Sequence, residues 1–341
     1  MALKSPFLDD VNSNLNAVKQ KDMINDLAEL KGFLPFQMVQ YHGHPMVAWS
    51  DFRDTPLQEP FFAHDVFHRP FRPNPRFVLT PWEILLQNND VLSGLKPSGF
   101  IFHTSSCGST LITNMLRANP RIISLSEPNI LYDILSRSAG QDPDLVAGFF
   151  RNVVLALGQK PLGTEEYLVI KFTSPATVFL PMIMRAFPDV PRVFLYRDPV
   201  EVLVANMRKP GQEWFYQESI IGLDNITLGE INTPLENCAI ALQRKMESFL
   251  KHSDGNHLIA NYSQLSPELF SRILKFFEIS VSPSEMDLML SVDGDHSHRR
   301  GTAFAPDSDQ KQNAASQNLR DAANRYLGSL YQQLEALRIK L

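Results

Sequence analysis

The chain has 341 residues, a formal net charge of −5, and 44% hydrophobic against 20% charged residues. This is the composition of an ordinary globular protein, and the acidic balance argues against general affinity for nucleic acid. No apolar run approaches the roughly 18 residues of a membrane span, and residues 1–10 lack the apolar core of a secretory signal. The two cysteines, Cys107 and Cys238, give no disulfide framework. We therefore expect a cytoplasmic protein without a membrane segment.

Residues 1–92 are predicted to be an N-terminal extension or cap that precedes a domain over residues 93–341. The apolar spacing predicts amphipathic helices over 14–31 and 81–95, whereas 34–76 is rich in Pro, Phe and His and has little periodicity. Four phenylalanines of this region either pack the cap onto the domain or line an acceptor pocket, and packing is the commoner role. They are Phe61, Phe62, Phe67 and Phe71.

A short Ser/Gly loop follows an apolar strand at Phe100–Phe102 and precedes a helical pattern that begins near Leu111. A strand, a tight loop and a helix N-terminus in this order form an anion site, because backbone N–H groups and the helix dipole converge there. The glycine lets the backbone approach a phosphate, and hydroxyl side chains add donors. The loop residues are Ser105, Ser106, Cys107, Gly108, Ser109 and Thr110. The Gly-Lys-Ser/Thr ending of nucleotide-binding loops is not met.

Three later strands each end in a polar residue suited to an anion or a proton. Glu127 follows Ile122–Leu125, Lys171 ends a strand that begins at Tyr167, and Arg197 follows Val193–Tyr196. In parallel α/β sheets, ligands bind beyond the carboxyl ends of the strands. We therefore expect an α/β, P-loop-type three-layer domain with a central parallel sheet and helices on both faces, preceded by the N-terminal extension.

These motifs resemble those of the sulfotransferases that use 3′-phosphoadenosine-5′-phosphosulfate (PAPS), most closely the tyrosylprotein sulfotransferase-like branch and its bacterial relatives. Residues 105–110 stand where that family has its 5′-phosphosulfate loop. Glu127 lies 21 residues after Ser106, and Lys171 lies 26 residues before Arg197, as in that branch. The segment that begins at Tyr262 is similar to the family's Tyr-Glu-Asp-Leu segment. The resemblance covers residues 97–300.

The resemblance implies transfer of a sulfuryl group from PAPS to a hydroxyl or amine acceptor, without a metal. It implies that Glu127 is the general base and Lys171 stabilises the leaving bisphosphate. Residues 105–110 would bind the 5′ end of the donor, Arg197 its 3′-phosphate, and Tyr262 its adenosine side. Two positions depart from the family: Ser106 replaces the basic residue of the loop, and Ala205 replaces a serine that binds the 3′-phosphate.

Further elements follow Arg197. Helices are expected over 200–207, 235–252 and 266–277, a strand over 257–261, and a last helix over 314–337 that packs on the core or on a second subunit. The aromatic stretch 211–233 is a candidate acceptor lid or an ordinary surface loop. Arg299-Arg300-Gly301 is similar to a family anion loop, although chance explains so short a match. The histidines His296 and His298 indicate a polar loop more than a metal site.

Three functions stay open at the level of the sequence. The first is the PAPS-dependent sulfotransferase, for which the acceptor is a carbohydrate, a phenol or alcohol metabolite, or a peptide tyrosine. The second is a non-catalytic nucleotide-binding or partner-binding protein, which would explain Ser106 and Ala205. The third is a P-loop kinase, which lacks its expected Gly-Lys-Ser/Thr ending.

Overall fold

The computed structural model describes residues 23–53, 55–67, 76–86, 94–208, 233–292 and 307–341. Its strands are β1 Phe33–Tyr41, β2 His44–Asp51, β3 Phe77–Pro81, β4 Pro97–His103, β5 Ile122–Ser126, β6 Tyr167–Lys171, β7 Arg192–Tyr196 and β8 His257–Asn261. Its α-helices are α1 Phe62–Phe67, α2 Ser109–Arg117, α3 Asn129–Ser136, α4 Pro143–Leu157, α5 Leu180–Ala186, α6 Pro199–Arg208, α7 Pro234–Lys251, α8 Pro267–Phe276, α9 Pro283–Leu290, α10 Ser308–Ala314 and α11 Gln317–Leu337.

Strands β4 to β8 form a parallel sheet in the order β5-β6-β4-β7-β8. The chain moves from β4 to one side of the sheet, through β5 and β6, and then crosses to the other side for β7 and β8. The order therefore reverses at β4, and a crevice opens beyond the carboxyl end of the strand where such a reversal occurs. The loop that follows β4 lies at this point.

Alternation along the strands places side chains on two faces, each covered by helices. In β4, Phe100 and Phe102 belong to a core with helices α3, α4, α7 and α11, whereas Ile101 belongs to a core with α2 and α8. The sheet is buried on both faces, which is the pattern of a parallel sheet inside an α/β domain. The predicted three-layer fold with a central parallel sheet is confirmed.

The described part of the N-terminal extension contains a second, antiparallel sheet in the order β1-β2-β3. A two-residue turn joins β1 to β2, and its residues His42 and Gly43 have φ values of 49° and 80°, as a hairpin turn of this length requires. The sheet packs on α3 and α4 through the same core as the parallel sheet. Gln159, just after α4, links the two parts, since it accepts from Gly32 N–H and donates to the Phe33 carbonyl oxygen.

In three stretches of this extension, the described residues differ from what the sequence pattern predicts. The stretch 34–76 shows little periodicity in the sequence, yet it contains β2 and all of β1 except its first residue. Proline at positions 35 and 45 hid the alternation, although Pro45 is tolerated near the start of its strand. In the described part of 14–31, Met23 bridges to Leu79 and residues 27–30 form a 3₁₀ turn instead of an α-helix. Among the described residues of 81–95, which are 81–86 and 94–95, residues 82–85 form a 3₁₀ turn. Residues 14–22 and 87–93 lie outside the described residues.

The expectations for the domain itself agree well with the described elements. Strands over 167–171 and 257–261 have the predicted bounds, and α6, α7, α8 and α11 lie within one to three residues of the predicted helices. Helices α3, α4, α9 and α10 were not predicted. No helix among the described residues is long and apolar enough to cross a membrane.

Candidate active site

The loop after β4 has an unusual backbone that its neighbours hold in place. Ser105, Ser106 and Gly108 have positive φ values of 76°, 49° and 79°, which is costly for the two serines. The positive φ of Gly108 favours glycine, and a Cβ there would lie 2.2 Å from Leu265 Cδ1, so that the leucine side chain would have to move. The Ser105 N–H donates to His103 Nδ1 at 3.1 Å. The loop is thus fixed before any ligand binds, with helix α2 directly behind it.

Glu127 and Lys171 form a buried ion pair beside this loop. Glu127 Oε1 lies 2.7 Å from Lys171 Nζ, and the same Nζ donates to Thr110 Oγ1 at 3.0 Å. Lys171 is fully buried as the last residue of β6, whereas the side chain of Glu127 is 17% exposed. Glu127 also has a positive φ of 56°, and its N–H donates to the Lys171 carbonyl oxygen at 2.7 Å. The structure therefore brings together the three predicted residues Thr110, Glu127 and Lys171, here called the Lys171 cluster.

His103, the last residue of β4, joins this cluster to the loop. Its Nε2 lies 3.1 Å from the Phe172 carbonyl oxygen and 3.6 Å from Glu127 Oε1, while its Nδ1 accepts from Ser105. These contacts assign the proton of the neutral ring to Nε2. This role of His103 was not predicted, because a single histidine at a strand end gives no signal by itself.

The charges of the Lys171 cluster shift the pKa values of its acids and bases. Burial alone would raise the pKa of Glu127, but the Lys171 charge and the hydrogen bonds from His103 and Lys171 outweigh it and lower the pKa to about 2. Burial opposes a raised pKa of His103, yet bonds to Cys107 and Glu127 raise it. Glu127 is therefore ionised at neutral pH, with Lys171 as its counter-charge.

Arg197 lies at the far side of the loop in a second set of charges, here called the Arg197 cluster. Its Nε donates to Glu201, its Nη1 to the Ser106 carbonyl oxygen, and its Nη2 to Asp307 and Ser308. Four of the five N–H groups of the guanidinium are thus used. Asp307 in turn pairs with Lys311 at 2.8 Å. The four charged members are Arg197, Glu201, Asp307 and Lys311.

Tyr262 packs against the same arginine. Its ring centroid lies 3.9 Å from Arg197 Cζ, a cation–π contact that fixes the plane of the guanidinium. Tyr262 was predicted on the adenosine side of the donor, and the structure places it just after β8 at the same edge of the sheet. Glu201, Asp307 and Lys311 were not predicted. Glu201 lies four residues after Arg197 and forms an i,i+4 ion pair with it, whereas nothing in the local sequence links Asp307 or Lys311 to Arg197.

The remaining predicted loop residues differ in their exposure. Ser106 is exposed, whereas Ser109 and Thr110 are buried in the first turn of α2. Cys107 points beneath the loop, because its side chain is buried and its Sγ donates to the Leu195 carbonyl oxygen at 3.3 Å. Hydrogen bonding and charge from His103 lower the pKa of this thiol, although burial opposes them. Cys107 therefore supports the loop from below through its side chain.

The N-terminal extension reaches the site through Phe61, whose ring centroid is 5.1 Å from Lys171 Nζ. Phe62 is instead buried and stacks on Phe52, and Phe67 packs on Phe36. Phe62 and Phe67 thus have the predicted packing role. The half-buried Phe61 instead covers one side of the Lys171 ammonium group. Phe71 lies outside the described residues.

Several candidate segments also lie outside the described residues: the aromatic stretch 211–233 except for its last residue, Arg299-Arg300-Gly301, and the loop that carries His296 and His298. Within the described ranges, no group of three or more His, Cys, Asp or Glu side chains is placed to hold a metal ion.

No protein-family model matches the chain, and no curated protein matches its sequence. Among solved structures, the fold is similar to the sulfotransferase domain from the curacin biosynthetic pathway, with 16% identity, a TM-score of 0.43, and coverage of 72% of this chain and 98% of that one. It is also similar to sulfotransferase STF9 from Mycobacterium avium, with 12% identity, a TM-score of 0.43, and coverage of 70% and 78%. A third is the sulfotransferase domain of the Synechococcus PCC 7002 olefin synthase, with 16% identity, a TM-score of 0.41, and coverage of 75% and 98%. These structural neighbours are sulfotransferases.

Proposed function

We propose that the chain is a sulfotransferase that moves a sulfuryl group from PAPS to a hydroxyl or amine acceptor. The observation that carries the proposal is the Lys171 cluster, in which one buried ammonium group bonds both to Glu127 and to Thr110 of the anion loop. A proton acceptor and a cation thus stand side by side at the helix N-terminus suited to a phosphate. Transfer of this kind depends mainly on positioning and on charge.

In the proposed reaction, the acceptor oxygen or nitrogen attacks the sulfur of PAPS in line with the bond that breaks. The new bond to sulfur forms as the bond between sulfur and the 5′-phosphate oxygen breaks, and that oxygen keeps the electron pair. The proton of the acceptor passes to Glu127. Lys171 stabilises the charge that develops on the leaving oxygen of the 3′,5′-bisphosphate.

The low pKa of Glu127 fits this sequence of events. While Lys171 faces the carboxylate, the pKa of Glu127 is held at about 2 and the group is a weak base. As negative charge builds on the leaving oxygen, Lys171 is attracted to it and interacts less strongly with Glu127. The basicity of Glu127 therefore rises at the moment when the acceptor releases its proton.

The residues at the 5′ end of the site fit the donor better than those at the 3′ end do. The N–H groups and hydroxyls of 108–110 would hold the 5′-phosphate, with Ser105, Ser106 and Cys107 shaping the loop. Arg197 would bind the 3′-phosphate and Tyr262 would contact the adenosine side, but Arg197 is already bonded to Glu201 and Asp307. A 3′-phosphate must therefore exchange with an internal acid.

The need to displace an internal acid from Arg197 supports a second candidate function, that of a nucleotide-binding protein without transfer activity. Occupation of Arg197 by Glu201 and Asp307, together with alanine at 205, weakens the expected binding of the 3′-phosphate. Serine at position 106 removes the expected cation from the 5′-phosphate loop. Such a protein would bind a nucleotide and report it to a partner. A kinase is less well supported, since the loop has no lysine at its end.

Calorimetry with 3′-phosphoadenosine-5′-phosphate (PAP), compared with ATP and Mg²⁺, tests the proposal on the full chain. We expect PAP to bind at micromolar concentration and ATP to bind much more weakly. Labelled PAPS with a panel of acceptors then separates a transferase from a binding protein. Preference for ATP, or no binding of PAP, would contradict the proposed donor.

A further inference from the structure

The side chain of Asp307 does not form the hydrogen bond that its place in the sequence predicts. Asp307 is the N-cap residue of α10, where an aspartate usually accepts a hydrogen bond from the first turn of its own helix. Here no such capping bond forms. Its two oxygens face two cations instead: Oδ1 accepts from Arg197 Nη2 at 2.6 Å, and Oδ2 lies 2.8 Å from Lys311 Nζ.

The two cations are buried, whereas the carboxylate between them is partly open to solvent. The side chains of Arg197 and Lys311 are 4% and 9% exposed, but that of Asp307 is 40% exposed. Glu201 and the Tyr262 ring orient the guanidinium independently of Asp307. A ligand that approaches from solvent therefore meets the carboxylate first and finds two buried cations behind it.

An anionic group that bridges an arginine and a lysine through two oxygens resembles a bound phosphate. A phosphate has the same kind of acceptor oxygens with more negative charge, and charge-assisted bonds to arginine favour it. Burial lowers the pKa of Lys311, although Asp307 opposes this shift, so that lysine benefits from an anionic partner. Helix α10 also packs on α6, the helix that carries Ala205.

We propose that Lys311 is a phosphate-binding residue that forms a two-cation clamp with Arg197, which Asp307 fills until a ligand phosphate displaces it. The inference rests on the proposed function, because it assigns this clamp to the 3′-phosphate of the donor. Lys311 then supplies the contact that Ala205 cannot make. Release of Asp307 frees one bond on each cation, so the phosphate replaces existing interactions and does not add to an empty site.

The test compares PAP with 5′-AMP, which differs only in lacking the 3′-phosphate, by calorimetry on four variants of the full chain. Asp307→Asn keeps the N-cap preference of the residue but removes its charge. Lys311→Met keeps the apolar stem but removes the ammonium group. The double variant combines them, and Asp309→Asn, exposed on the same helix, is the matched control for the change in net charge.

We expect Asp307→Asn to tighten PAP binding about tenfold and Lys311→Met to weaken it about tenfold, the effect of one hydrogen bond to a charged group. In the double variant the gain in PAP affinity from Asp307→Asn is lost. The affinity for 5′-AMP changes by less than about twofold in all four variants. Unchanged PAP affinity in Asp307→Asn, equal changes for both nucleotides, or an equal gain in Asp309→Asn would overturn the clamp while leaving the proposed function intact.

A protein that binds no PAP in any variant would contradict the proposed function instead. The clamp is then judged with inorganic phosphate as the probe, by titration of Asp307→Asn and of the double variant. Binding that requires Lys311 supports the clamp for another phosphate ligand, and binding that does not require Lys311 overturns it.

Discussion

Two clusters of charged side chains lie at the carboxyl edge of the parallel sheet, and they differ in the groups that their cations contact. In the Lys171 cluster, the ammonium group contacts one carboxylate and one loop hydroxyl, and the carboxylate is partly exposed. In the Arg197 cluster, two acids and two other oxygen acceptors take four of the five N–H donors of one arginine. The first is arranged to act on a ligand as it stands, whereas the second must exchange an internal anion for an external one. Mutations should therefore affect turnover at the first cluster and affinity at the second.

The largest expected effect is on turnover in Glu127→Gln. We expect the rate of sulfuryl transfer to fall by about a thousandfold, within the usual contribution of a general base, while PAP affinity changes by less than about threefold. Radiolabelled transfer assays and calorimetry measure the two quantities. Glu268→Gln on the exposed face of α8 is the control. Full activity in Glu127→Gln would assign the base to another residue.

A pair of cation variants tests the contrast directly. Lys171→Ala should lower the rate of turnover by about a hundredfold and weaken PAP binding less than that, because Lys171 acts on the developing charge. Arg197→Ala should do the reverse, weakening PAP about tenfold or more with a smaller loss of turnover. Since loss of Arg197 removes the cation that Glu201 contacts and leaves Asp307 with Lys311 alone, Arg197→Lys is measured beside it.

Equal effects of the two alanine variants on both quantities would mean that the clusters share one role. Unchanged PAP affinity in both Arg197 variants would remove that residue from the 3′-phosphate site. Thermal melts of each variant separate such results from simple loss of the fold.

The pKa of Glu127 predicts a loss of stability in acid. A carboxyl group whose pKa is lowered on folding stabilises the protein fully above its unfolded pKa and loses that contribution as the pH falls towards the folded value. The pKa of Glu127 is about 2 in the folded protein, whereas the ordinary value for a glutamate is 4.5. Because of this difference, the contribution of Glu127 to the free energy of unfolding should fall by about 2 kcal/mol between pH 6 and pH 3. Urea unfolding should show this difference between the wild type and Glu127→Gln. Equal acid sensitivity of the two proteins would mean that the pair with Lys171 is weak.

Much of this edge could be predicted from the sequence, because short apolar strands that end in a polar residue are a local signal. The bounds of β6 and β8, and the intervals from Ser106 to Glu127 and from Lys171 to Arg197, needed no long-range information. The meeting of Glu127 with Lys171 followed from the rule that parallel strands end at one edge.

Other parts of the molecule depend on contacts that a local pattern does not encode. Asp307 is 110 residues from Arg197, and its bond to the arginine replaces the capping role that its position predicts. The role of His103 depends on the contacts of its two ring nitrogens, one with Ser105 of the loop and the other with Phe172 and Glu127. These contacts are not visible in the local sequence. In β1 and β2, prolines interrupted the alternation, and pairing between strands overrode the local preference.

The smallest expected effect is the gain in PAP affinity when a cation is introduced into the loop at Ser106. Ser106→Lys restores a cation at an exposed position close to both clusters, since the Ser106 carbonyl oxygen bonds Arg197 while Thr110, four residues on, bonds Lys171. The positive φ of Ser106 disfavours any larger side chain, so part of the gain is lost to strain. We expect PAP to bind about threefold more tightly at low salt and no more tightly at high salt, where exposed charges are screened. Ser106→Gln, which has similar bulk but no charge, is the control measured by the same calorimetry. An equal gain in Ser106→Gln would mean that bulk and not charge is missing from the loop.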